Sequence, residues 1–283
     1  MFNASSELES LIARSVPGCL PEQLSLTPLT GLTGTSWRID LHHQPRWLAK
    51  PRLASQDILG IYRHQEYRTL RRISGAGISP QPVLLTDRWM ISSWIEGQIL
   101  GDRFSHDCGL DGIANSLVRL HRLPPNGFSL NLKQRFERYL HGIDKRRLSP
   151  RWLALHQRYL NSSLPRHLKL APAHLDLHGD NAVLCSNSLM FIDWEYSSDA
   201  DIAFELAMLF CGNRWNKGLE TDLLQRYINA GGYSDGEKLR HQIDNWKPYV
   251  EYLILLWFET RWQQTKNQQY LIDCQPIRIG YGI

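Results

Sequence analysis

The stretch "HLDLHGDN", His174 to Asn181, sets a histidine, two aspartates and an asparagine between the apolar runs "LAPA" and "AVL". Charged and amide groups lose hydration in such surroundings unless a hydrogen-bond network or a ligand replaces the water. His174, Asp176 and Asn181 spell H-x-D-x-x-x-x-N, and Asp193 follows the apolar run "LMFI" at what reads as a strand end. Phosphoryl transfer uses such a set: one carboxylate facing the acceptor hydroxyl, plus an amide and a carboxylate oxygen that grip Mg²⁺ on the phosphates. Asp176 is therefore the candidate base, and Asn181 and Asp193 are the candidate metal ligands.

Upstream of this stretch the chain reads as strands. "LSLTPLTGLTGTSWRIDLHHQPRWLAKPR" alternates β-favouring runs with turn residues, "HHQP" joining two of the strands as a hairpin. Apolar residues at Ile58, Ile61, Tyr62, Leu70 and Ile73 then predict a helix that ends at Gly75 and Gly77. "QPVLLTDRWMISSWIEGQ" reads as strand, turn, strand and polar exit. From residue 98 the pattern turns mostly helical, interrupted by a strand-loop-strand unit over the opening stretch, with a turn at Asn187-Ser188. The expected class is α+β with two lobes: residues 1–97 a nucleotide-binding lobe of antiparallel sheet and one helix, residues 98–283 a larger, mainly helical lobe for catalysis and substrate.

The first lobe offers the remaining parts. Gly31, Thr33, Gly34, Thr35 and Ser36 form a glycine-containing turn whose backbone could approach phosphates closely. Lys50 could reach those phosphates, with Glu66 on the next helix as its partner. Ser93, Trp94 and Ile95 form the connector against which an adenine would stack. Each feature alone also has an ordinary structural explanation; their order along the chain gives them weight.

Bulk properties narrow the classes. With 283 residues and 42% hydrophobic content the chain can bury a real core. Net charge is +4, and residues 1–97 carry 10 Lys/Arg against 8 Asp/Glu, so no basic face points to nucleic acid. Five scattered cysteines lack metal-ligand spacing and fit reduced thiols in a cytoplasm. The most apolar segment, "YVEYLILLWF", is interrupted by Glu251 and falls below the roughly 20 residues of a membrane span. No membrane partner is expected, and a monomer or weak homodimer is the expected state.

"HLDLHGDN" and "FIDWEYSSDADIAFELA" resemble the catalytic loop and metal-binding strand of the aminoglycoside phosphotransferase and choline kinase family, which is protein-kinase-like. That resemblance implies ATP as co-substrate, Asp176 as base, Asn181 and Asp193 as Mg²⁺ ligands, Asp201 as a buried acid bracing the loop and His174 as a structural partner. "LTGLTGTSW" and "WFETRWQQTKNQQYL" are similar to the bacterial members that phosphorylate thiamine, which implies thiamine as acceptor. Leu175 stands where the family usually has Gly, "IDWE" replaces Asp-Phe-Gly, and the phosphate turn has two glycines instead of three.

A cationic thiazolium favours aromatic faces and carboxylates. Trp194, Glu195, Trp257, Glu259 and Trp262 are the candidates for it, although Trp257 and Trp262 lie about 140° apart around a helix. Three alternatives remain open: a choline- or aminoglycoside-type acceptor, a metal hydrolase using His174-x-Asp176-x-His178, for which only His241 follows as a further histidine, and a non-catalytic binding protein that keeps the fold.

Overall fold

The structure, a computed structural model, describes residues 4–31, 34–186 and 188–283. Helix α1 (Ala4–Ser15) precedes strands β1 (Leu24–Gly31), β2 (Gly34–Leu41) and β3 (Gln44–Pro51). Leu8 and Ile12, one turn apart on α1, are fully buried. They pack with Ile39, Ala49, Trp89 and Ile91 in a small core on one face of the sheet. β2 passes into β3 through His42 and His43, whose φ values are 51° and 61°. Two successive positive φ angles make the primed turn that matches strand twist, here without the usual Asn-Gly.

Helix α2 (Arg63–Ile73), β4 (Pro82–Leu85) and β5 (Trp89–Ser93) complete an antiparallel sheet of order β1-β2-β3-β5-β4. Ala49 lies opposite Ile91 and Lys50 opposite Met90. Side chains alternate along a strand. Ala49 and Ile91 therefore join the α1 core, while Lys50 emerges on the other face, toward α2. The apolar spacing predicts a helix from Ile58, whereas α2 starts at Arg63. Gly60, at φ 73°, ends a short 3-10 turn (Ala54–Leu59) and resets the chain.

The rest of the chain begins with β6 (Gln98–Ile99), α3 (Asp107–His121), α4 (Leu132–Gly142) and α5 (Pro150–Asn161). The strands β7 (Leu170–Ala173), β8 (Ala182–Leu184), β9 (Leu189–Phe191) and β10 (Ser198–Asp201) follow. Four helices close the chain: α6 (Ile202–Gly212), α7 (Lys217–Asn229), α8 (Gly236–Thr265) and α9 (Gln269–Tyr281). β7 pairs with β10, and β6-β8-β9 form a separate small sheet. The opening stretch thus bridges two sheets, anchored at both ends. Asn187, at the expected turn between β8 and β9, lies outside the described residues. α8 runs 30 residues, through Pro248, and buries Trp246, Tyr252, Leu255 and Leu256 in the large core with Phe136, Trp152 and Phe204. No described helix is long and apolar enough to cross a membrane.

Candidate active site

The loop after β7 is held in an uncommon backbone shape. Leu175 has φ 66°, the left-handed region in which a side chain crowds its own carbonyl. Glu205 of α6 holds it there: its carboxylate accepts the N–H of His174 at 3.2 Å and of Leu175 at 3.0 Å. From the other side, the His174 ring meets the Ile192 carbonyl through Nε2 at 2.8 Å and the Asp176 N–H through Nδ1 at 3.3 Å. Nδ1 accepts, so the ring proton sits on Nε2. Burial pushes this imidazole down to about 4 and keeps it neutral. His174 thus ties the loop to the segment that delivers Asp193, and its ring centroid lies 4.6 Å from that of Trp194.

Asp201, the acid expected to brace this loop, is engaged elsewhere. It caps α6 through the Ala203 N–H, and it accepts from Leu168 N–H and from the Trp246 indole at 2.9 Å. Glu205 stands one helical turn further along α6, which turns it toward the loop instead. Asp199 is likewise structural, accepting the N–H groups of Asn126, Gly127 and Phe128. A carboxylate inside the apolar run "IAFELA" was the available signal for Glu205.

Two aspartates that face the same space carry opposite perturbations. Burial, and then the charge of Asp193, push Asp176 up to about 7. Burial would also raise Asp193, but the Lys50 ammonium, 2.5 Å away, outweighs it and holds Asp193 below the usual carboxylate range. Lys50 bonds Glu66 at 2.8 Å as well; burial favours its neutral form, yet Asp193 and Glu66 keep it charged. Carboxylates pushed apart in this way suit two roles, a base poised near neutrality and a permanently ionised ligand. Glu66 also accepts from Arg63, which bonds Glu195 at 3.0 Å. Glu195 therefore belongs to a buried ion network joining α2 to the turn after Asp193, and it does not line the recess beside Asp176.

Two recesses adjoin these groups. One is lined by Lys50, Glu66, Ser93, Trp94, Ile95 and Asp193, so the structure gathers five of the ten expected nucleotide residues around one space, together with Asp193. Gly31, Gly34, Thr35 and Ser36 stand at the facing ends of β1 and β2. Thr33, between them, lies outside the described residues. The second recess encloses about 160 Å³ and is lined by Asp176, Arg135, Tyr139, Tyr196, Trp257 and Phe258, among others.

Of the five expected acceptor residues, the second recess contains Trp257, whose Nε1 donates to the Tyr196 hydroxyl at 2.9 Å. Trp194 lines the first recess instead, 1% exposed and with its indole N–H donated to the Phe191 carbonyl. Glu259 is fully buried, bonded to Arg147 and Arg278 at 2.6 Å each. Trp262 lies under the Arg147 guanidinium and the Lys266 ammonium. Sequence reasoning missed Tyr139, Tyr196, Phe258 and Arg135, because aromatic and basic residues on α4, α8 and the Asp193 turn carry no local pattern.

The donor set is suited to Mg²⁺. Asn181 Nδ2 donates to the Asp176 carbonyl at 2.9 Å, so its Oδ1 is the atom left to meet a metal, and Asp193 keeps a second oxygen beyond the one bonded to Lys50. Among the described residues no three His, Cys, Asp or Glu side chains cluster as metal ligands. Two protein oxygens, completed by phosphate and water, are the habit of Mg²⁺ and not of a zinc hydrolase. His174, with both ring nitrogens occupied, is no free ligand.

A lysine-bearing antiparallel sheet, a glutamate helix behind it and an Asp/Asn loop beneath define a phosphotransferase with a protein-kinase-like fold. Residues 31–242 match the phosphotransferase enzyme family (APH), and the chain belongs to that family. It is a small-molecule kinase. Thiamine kinase of Salmonella paratyphi A is 32% identical over 266 residues, covering 93% of this chain and 91% of that protein. Among solved structures, choline kinase LicA from Streptococcus pneumoniae superposes with a TM-score of 0.75 at 18% identity, covering 98% of both chains. LicA in complex with AMP also gives 0.75, at 17% identity and covering 100% of this chain and 99% of that one.

Proposed function

We propose that the protein transfers the γ-phosphoryl group of ATP to the hydroxyl of thiamine, giving thiamine phosphate and ADP. One observation carries the reading: the recess beside Asp176 is walled by Tyr139, Tyr196, Trp257 and Phe258. Aromatic faces of this kind suit a thiazolium cation. The thiamine kinase relative, matched over nearly its whole length, supports thiamine as the particular acceptor. The AMP complex of a protein with this fold supports an adenine nucleotide in the recess beside Lys50.

In this reading residues 1–97 bind ATP, with Ser93, Trp94 and Ile95 at the adenine, the β1–β2 turn over the phosphates and Lys50 reaching them under the hold of Glu66. Residues 98–283 supply catalysis and the acceptor site. Asp176 orients the thiamine hydroxyl and takes its proton as the new O–P bond forms and ADP leaves. Asn181 Oδ1 and Asp193 would hold Mg²⁺, which supplies charge neutralisation on the phosphates. His174 and Glu205 position Asp176 by fixing the loop.

The test is ADP release by the purified protein with Mg²⁺·ATP and thiamine, choline, kanamycin or no acceptor. Turnover with thiamine, giving the monophosphate, is expected. Turnover with another acceptor alone refutes the substrate and keeps the enzyme class. Asp176→Asn should lower kcat at least about 10²-fold while nucleotide affinity is retained; surviving turnover removes Asp176 from the role of base.

A further inference from the structure

Helix α4 carries a charge into the acceptor recess that the chemistry above leaves unused. Arg135 is 9% exposed and lines the recess together with Asp176, Tyr139 and Trp257. Among the described residues its guanidinium has no ion pair and no hydrogen bond. The other buried arginines differ: Arg63 bonds two carboxylates, and Arg261 bonds Gln264. Asp176, the one carboxylate on the same lining, is bonded to Asn181 and not to Arg135.

The guanidinium opens into the recess without a protein acceptor among the described residues, and an apolar residue of similar volume would pack this wall better if packing were its task. The planar guanidinium fork fits phosphate oxygens two at a time. The proposed reaction leaves a phosphate in this recess at every turnover. A permanently cationic acceptor, by contrast, gains nothing from a second cation.

We infer that Arg135 is a product-holding residue: its guanidinium binds the phosphomonoester of the acceptor, so the recess retains the phosphorylated product more tightly than the free acceptor. This rests on the recess being the acceptor site. The enzyme is then inhibited by its own product, and release of the monoester limits turnover as product accumulates.

Calorimetric titration of the full chain without nucleotide tests this, using thiamine, thiamine monophosphate and inorganic phosphate against wild type, Arg135→Met and Arg135→Lys. The monophosphate should bind wild type about 10-fold more tightly than thiamine, and Arg135→Met should erase that preference while thiamine affinity stays within about 2-fold. Arg135→Lys should keep part of it, as a point charge without the fork. Equal losses for thiamine and its monophosphate, or no preference in wild type, overturn the proposal. If wild type binds neither thiamine compound, the thiamine reading fails by itself. Inorganic phosphate then decides: binding that Arg135→Met abolishes supports the site, and absent or unaltered binding overturns it. Should Arg135→Met fail to fold, an unchanged preference in Arg135→Lys overturns the proposal.

Discussion

Leu175 permits a substitution test whose sign differs from the usual one. At an ordinary strand or helix position Ala is more stable than Gly by roughly 0.5–1 kcal/mol, because Gly loses more backbone freedom on folding. At φ 66° a Cβ adds a left-handed penalty of about 1–2 kcal/mol. The second effect exceeds the first. Leu175→Ala should therefore be less stable than Leu175→Gly by about 0.5–1 kcal/mol. Both should be less stable than wild type, because Leu175 is 4% exposed and losing a buried leucine side chain costs about 2–5 kcal/mol. Leu175 lines the open acceptor recess, so the lower part of that range applies. Urea unfolding of the two variants, compared at equal m-values, measures the difference. An Ala variant as stable as the Gly variant, or more so, would refute a left-handed Leu175 and with it the clamp formed by Glu205.

Asp176 must be ionised to accept a proton, and its raised value of about 7 means that it is protonated below that pH. The acid limb of kcat/KM, which reports the free enzyme, should have its midpoint near 7, and a midpoint near the ordinary 3.8 refutes the burial of the base. Trp257→Ala should raise the acceptor KM, whereas Glu259→Gln should lower the unfolding midpoint and leave that KM alone; the reverse pattern would place Glu259 at the substrate. Arg63→Met removes the cation shared by the buried carboxylates Glu66 and Glu195 and should destabilise the fold by about 3–5 kcal/mol in denaturant unfolding. A neutral effect would mean that the network from α2 to the Asp193 turn does not form.

The residues proposed for phosphoryl transfer were legible because they are local. His174, Asp176 and Asn181 sit within eight residues, and one loop must carry all three, so their spacing survives in the sequence. Lys50 and Glu66 were readable for a related reason: each sits on an element whose period sends it to a definite face. The recess proposed for the acceptor had no such trace. Its aromatic walls come from α4, the turn after Asp193 and α8, elements brought together only by packing, and each contributes one or two residues with no shared pattern. An aromatic residue looks the same in sequence whether it ends in the core, as Trp152 does, or faces a cavity, as Trp257 does. The start of α2 escaped for a different reason, since the left-handed Gly60 cancels the apolar spacing before it.

Four acids near the site show what composition withholds. Glu195, Glu205 and Glu259 are 6%, 1% and 0% exposed, and each has its acceptors filled, by Arg63, by two loop amides and by two arginines respectively. Such groups cannot accept a proton or a ligand without first breaking bonds that the fold depends on. Asp176 differs: it faces a cavity, has one long contact from Asn181 to its carboxylate, and among the described residues no cation is paired with it. A carboxylate is free to act where burial raises its pKa and no cation holds it. The site is thus set by which acid the fold leaves facing a cavity without a cation, a property of the assembled structure that motif spacing marks only where the residues share one loop.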